Sequence, residues 1–231
     1  MMKRILMGAA ALAALVPALP AAAQEIVVTA SRRIDMTMIP VVRMKRTADF
    51  AILEVVVTGD TRDATRRQEE IYGMVRKAID LAPRYGVELA TGELIVEPLT
   101  PENYRDLGLE EGDREDTDEA RFYVKARLEP GMASADALGR ITRFVEAVPP
   151  VGRAQMEADG DLALSVVDPD QYRGQIVALI AEDAGATAAA FGPGYGVRVS
   201  QLEQPVRWVR ASLTEVYLYL PVDVAVVPRS E

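Results

Sequence analysis

The spacing of hydrophobic and polar positions changes several times along this chain, and each change marks an element. Phe50 to Thr58 is an almost unbroken β-branched and apolar run closed by Gly59-Asp60, which predicts a strand ending in a turn. Val41 to Met44 predicts a shorter strand ahead of it. Ile71, Met74, Val75, Ala78, Ile79 and Ala82 then recur at spacings of three and four, opposite Arg66, Arg67, Glu69, Arg76 and Lys77. That pattern predicts an amphipathic helix capped by Thr61 or Asp63 and ending near Pro83. Val87 to Val96 predicts a strand with a bulge at Gly92. In Phe122 to Leu128 apolar residues alternate with Arg121, Tyr123, Lys125 and Arg127, the period of a half-buried strand.

The second half repeats the alternation of types. A helix is predicted from a Ser134 cap to about Val145, stopped by Pro149-Pro150. Two strands, Val151 to Glu157 and Leu162 to Val167, are predicted to form a hairpin about Asp159-Gly160. Asp168 as cap, Pro169 at the first helical position and Gln171 at the third predict a helix running to Phe191, and Gly192-Pro193-Gly194 ends it. Strands over Tyr195 to Leu202 and Leu213 to Val227 finish the chain. Helices interspersed among hairpin-joined strands predict an α+β fold, an antiparallel sheet packed by about three helices.

The first 23 residues follow a different rule. Lys3 and Arg4 precede a mostly apolar stretch from Ile5 to Leu19, and Ala21-Ala22-Ala23 supplies small residues before Gln24, so residues 1–23 are predicted to be a cleaved secretory signal. The apolar stretch is short for a bilayer span, and no later one is longer. Residues 24–40 have no sustained period and are predicted to be a flexible arm, and residues 41–227 to be the folded domain.

Composition narrows the chemistry. The chain has no histidine and no cysteine, which removes imidazole acid–base catalysis, thiolate nucleophiles, disulfides and nearly all zinc sites. Without residues 1–23 the chain keeps 24 basic residues against 35 acidic, a net charge of −11. That balance argues against a nucleic acid partner and against an anionic membrane surface. Residues 110–119, EEGDREDTDE, are rich in the oxygen ligands that calcium takes, but glycine is missing from the position an EF-hand loop requires, so a solvated hairpin loop is expected there. Asp168 with Asp170, and Glu182 with Asp183, are the carboxylate pairs open to a hydrolase, and each has a plainer role beside a helix. No Ser-x-x-Lys occurs. Trp208, Tyr195, Tyr217 and Tyr219 are candidates for a ligand groove or an oligomer interface, with core packing the ordinary use of such residues. No cofactor and no catalytic residue is expected.

Two resemblances rest on particular segments. Ala48-Asp49-Phe50-Ala51-Ile52-Leu53-Glu54-Val55 with its following turn and helix, and Leu164-Ser165-Val166-Val167-Asp168-Pro169-Asp170 leading into an alanine-rich helix, make residues 41–227 resemble the SIMPL-domain family of secreted and periplasmic bacterial proteins. Ala48 stands where that family usually has proline, and its basic helix face is thinned here to Arg173. The resemblance implies a non-catalytic periplasmic protein of the cell envelope, linked to oxidative-stress tolerance or surface antigenicity, acting by binding or as a homo-oligomer. Without cysteine or histidine, any such tolerance cannot come from thiol cycling or a histidine-bound metal centre.

The arm, Gln24 to Arg33, resembles the TonB box near the mature N-terminus of TonB-dependent transporters, although the plug and barrel of a transporter are missing. It implies that Ile26, Val27, Val28, Thr29 and Ala30 add a strand to TonB or a similar periplasmic partner; the alternative is a β-prone segment that resembles the box by chance or pairs within its own fold.

Overall fold

The computed structural model describes residues 25–28, 39–93 and 95–229. The predicted signal, residues 1–23, lies outside them. Among the described residues no helix is long and apolar enough to cross a membrane.

The α+β expectation is met: the described residues form three α-helices and only antiparallel strand pairs. The spine is β3 (Phe50–Gly59), paired along its length with β7 (Asp118–Arg127) on one edge and with β8 (Gln155–Val167) on the other. From β8 the sheet continues through β1 (Glu25–Val28), β5 (Ile95–Pro98) and β4 (Val87–Thr91), and β4 pairs with β7. Six strands therefore close into a ring, with β6 (Leu109–Glu111) attached to the outer edge of β7. Ala51, Leu53, Val55 and Val57 alternate toward the helices, while Ile52 points to the other face and joins Ala90, Val96 and Ala163 in a small second cluster.

Two helices cover the ring. In α1 (Ala64–Tyr85) the Asp63 carboxylate accepts a 2.8 Å hydrogen bond from the Arg66 amide, and Gly86 ends the helix with a left-handed φ of 63°. Of the predicted stripe, Ile71, Met74, Val75, Ala78 and Ala82 are buried and Ile79 is half-buried, while Arg67, predicted on the polar face, is buried as well. α2 (Ser134–Ala147) buries Ala137, Ile141, Phe144 and Val145 against the same core, although Ala133 rather than Ser134 takes the cap position. A three-stranded sheet of β10 (Arg207–Arg210), β11 (Glu215–Tyr219) and β2 (Met44–Thr47) adds Val216 and Leu218 to that core. The last unit is α3 (Arg173–Phe191) with a two-stranded ribbon of β9 (Tyr195–Ser200) and β12 (Asp223–Pro228).

Several expectations need correction. The flexible arm is wrong at its start, because Glu25–Val28 form β1 inside the ring, with β8 on one side and β5 on the other. Gly92 is no bulge: at φ 121° it turns the chain between β4 and β5, and any Cβ there would strike the Ile95 carbonyl. Asp159-Gly160 is no hairpin turn but a bulge in one thirteen-residue strand, since the β3–β8 register jumps between Ile52 and Glu54. The long partner β3 explains this: pairing along its whole edge leaves no room for the chain to reverse. Asp168 sits in the left-handed region at φ 43° and makes no side-chain cap. A 3₁₀ turn, Pro169–Tyr172, precedes α3, and it is Asp170 whose carboxylate accepts from the Val206 amide at 3.1 Å. Leu213 to Val227 is two strands, and Val41 to Met44 contributes only its last residue to β2.

Candidate functional site

β1 begins with Glu25, whose side chain is buried. Residues 24–40 are predicted from the sequence to be a flexible arm, yet ring closure carries this carboxylate to the inner face of β7 and β8. There the Lys125 ammonium is paired with Glu25 Oε2, and Ser165 Oγ donates a 2.6 Å hydrogen bond to Oε1. The side chains of Lys125 and Glu25 are 6% and 11% exposed. Lys125 also lies 4.1 Å from the centre of the Phe50 ring and 3.6 Å from Glu88. Lys125 belongs to the face predicted to meet water. The sheet's closure buries it, and no local pattern in β7 signals that.

The predicted docking residues are divided by this arrangement. Ile26, Val27 and Val28 are in β1: Ile26 is paired on both edges, opposite Val166 and Ile95, and Val27 and Val28 are paired on the β8 edge, opposite Ser165 and Leu164. Thr29 and Ala30 lie outside the described residues.

Farther along the same face, Arg121 gathers carboxylates from three strands and the hairpin beside them. Asp159 is 2.6 Å away, Glu119 2.8 Å, Glu110 3.5 Å and Glu54 3.7 Å. The Asp159 hydrogen bond, foremost among these partners, raises the guanidinium's proton affinity further. Clefts of about 560 and 350 Å³ flank this array. The first is edged by Asp60, Arg114, Arg153 and Glu157, and Arg153 grips Asp60 through two bonds of 2.6 and 2.7 Å, holding its carboxyl below the usual aspartate range. Chemically, the carboxylates here are matched to arginines, an arrangement that fixes strands in place.

The acidic segment 110–119 is the β6–β7 hairpin. Its Asp118 pairs with the buried Arg67 of α1 at 2.6 Å, tying the hairpin to the helix. Among the described residues no group of three acidic side chains is placed to hold a metal ion. Of the carboxylate pairs, Asp170 is occupied with Val206 and Arg173, and Glu182 and Asp183 are exposed on α3. The aromatic candidates do not share a groove. Tyr195 packs beside Phe191 at 6.1 Å, whereas Tyr217, stacked under Arg43, alternates in facing direction with Trp208 across the β10–β11 pair.

The other unusual surface is the α3 layer. Of its nineteen residues only Arg173, Glu182 and Asp183 are charged, and only Ile176 and Ile180 are buried. Leu179 is 37% exposed and Phe191 58%. Ala178, Ala181, Gly185, Ala186, Ala189 and Ala190 are exposed beside them. The adjoining ribbon presents Tyr195 and Val224, and among the described residues neither β9 nor β12 pairs with a further strand. The signal was present in the sequence: a helix with three charged residues in nineteen has little solvent face of its own.

The chain was compared with family models, with curated proteins and with solved structures, and it matches none of them.

Proposed function

We propose that this is a non-catalytic, SIMPL-like protein of the bacterial periplasm that works by homo-oligomeric assembly, and that α3 with the β9–β12 ribbon is its main contact surface. The observation that carries this reading is the exposure of an apolar helix: nineteen residues, two of them buried. At about 28 Å, α3 is long enough for a partner helix or ribbon to lie along it. Contiguous apolar surface of this kind marks an interaction site.

A second copy is the favoured occupant on electrostatic grounds. The chain carries a net charge of −9 over its full length, so two copies repel each other over most of their surface. The α3 face is where that repulsion is least, because three charged residues serve nineteen positions. Open edges on β9 and β12 add main-chain hydrogen bonding as a second adhesive.

Light scattering on the protein purified from the periplasm tests this directly. A discrete oligomer that falls to the monomer mass in Leu179→Glu supports it. A monomer at tens of micromolar would overturn it. The TonB-like alternative, docking through residues 26–30, now carries an added requirement: β1 must leave the ring before its edges are open to a partner. A role in oxidative-stress tolerance, which the family resemblance implies, would then be indirect, through envelope assembly.

A further inference from the structure

β8 and β5 do not pair with each other; β1 stands between them and completes the ring. Removing β1 would leave the backbone groups of residues 164–167 and 95–96 without their strand partners. It would also take Glu25 from the Lys125 ammonium and leave Glu88, 3.6 Å away, as its nearest carboxylate, and Glu88 is shared with Arg127 at the same distance. The gap between β8 and β5 is therefore a site with a defined ligand: an extended peptide whose first residue offers a carboxylate to Lys125 and Ser165. Two unpaired strand edges and an ammonium without its close partner make an empty site costly, so some strand of that kind must fill it.

Nothing in those contacts requires the strand to come from the same copy. β1 meets the rest of the molecule at β8, β5 and β10, and ten residues, 29–38, lie between it and the buried Ile39. Fully extended, such a tether spans about 35 Å, comparable with the width of a domain this size. We propose that in the assembled protein the site is filled by β1 of a second copy, Glu25 of each copy pairing with Lys125 of the other. Exchange re-forms every contact of the closed ring, so the swapped and unswapped forms differ mainly in tether entropy and in concentration. Among candidate donors a second copy fits best, since each carries the same carboxylate one residue ahead of the same β-branched run. The inference extends the assembly reading and separates from it, because α3 plays no part in the exchanged contacts.

A charge exchange tests it. Glu25→Lys places two ammoniums in the site and Lys125→Glu two carboxylates, so each variant alone should lose β1 insertion and melt well below the native chain. Glu25→Lys and Lys125→Glu in one chain restores opposite charges in cis. When the two single variants are refolded together, exchange pairs Lys with Glu in both sites of a mixed dimer. Recovery of the doubly substituted chain's melting midpoint, with a light-scattering mass of paired copies, is the expected result. A mixture that melts as the two singles do, while the double variant recovers as a monomer, overturns the proposal.

The native sequence provides a second measurement that does not depend on any variant folding. Equal amounts of ¹⁴N and ¹⁵N protein are refolded together with a carbodiimide, which joins a carboxylate to a neighbouring amine. Glu25–Lys125 linked peptides of mixed isotope are expected. Linked peptides of a single isotope only would overturn exchange. If Leu179→Glu leaves the mass unchanged while mixed peptides persist, the α3 reading fails and the strand exchange stands.

Discussion

The ring and the α3 layer solve the problem of buried surface in opposite ways. In the ring, even a lysine and a glutamate are taken out of water, because six strands close on one another and two helices seal the outer side. In the α3 layer, alanines, a leucine and a phenylalanine remain in water, because a single helix and a two-stranded ribbon have no further strand among the described residues to close against. Residue type did not decide which side chains are covered. Closure did, and it separates a part of the molecule sealed from water from one left open to it.

Breaking the buried pair should give the largest effect. Glu25→Ala leaves Lys125 charged and without its close partner, which is expected to cost about 3–5 kcal/mol in urea unfolding. Replacing both residues with apolar ones of similar size, Glu25→Leu with Lys125→Met, should cost far less. Equal losses in the two experiments would mean that packing of β1, and not its charge, holds the ring closed.

Matched truncations sharpen the contrast between the regions. Ile141→Ala, at a fully buried position of α2, should lose about 2–5 kcal/mol. Leu179→Ala on α3 should change the stability of the monomer by about 0.5 kcal/mol or less and act instead on the mass in solution. A large stability loss for Leu179→Ala in dilute protein would show that α3 is already covered within one copy.

Glycines separate the regions on a smaller scale. Gly152 has φ 57°, and a Cβ there would collide with the Glu70 carboxylate, so Gly152→Ala should cost about 1–3 kcal/mol. Gly192 at the end of α3 has φ 96° but open space around it, and its alanine variant should cost less, by strain alone.

The smallest effect concerns acid. Hydrogen bonds from Thr61 and the Arg153 amide, with help from Arg66, hold the Glu70 carboxyl below its ordinary value of 4.5. A carboxyl depressed by folding stabilises the native state above its unfolded pKa, and that contribution is lost as pH falls through the folded value. The ring should therefore weaken below about pH 4.5, and Glu70→Gln should flatten that limb of the stability–pH curve. An unchanged limb would assign acid sensitivity elsewhere, for instance to Asp60, whose carboxyl Arg153 also depresses.

Much of the fold was legible in the sequence because it depends on local chemistry. The α1 stripe, its Asp63 cap, the uninterrupted run of β3, and the glycine that ends α3 all answer to neighbours within a few residues. The misreadings share one cause. Gly92, Asp159-Gly160 and Asp168 are turn-forming residues whose use depends on which strand lies alongside: a reversal where β5 folds back on β4, a bulge where β3 runs on past it. Glu25 and Lys125 are a hundred residues apart, and neither has a neighbour that hints at the other.

By itself the sequence determined the α+β class, the absence of histidine and thiol chemistry, the acidic balance and the apolar character of α3. These are properties of composition and period, and they survive any arrangement of the elements. Only the tertiary structure decided that the chain's first strand completes a ring, that a lysine on an alternating face is buried, and that an apolar helix is left outside. The reason is that strand partners and burial are set by which distant edges meet, and a strand's own residues carry no record of the strand that will lie beside it.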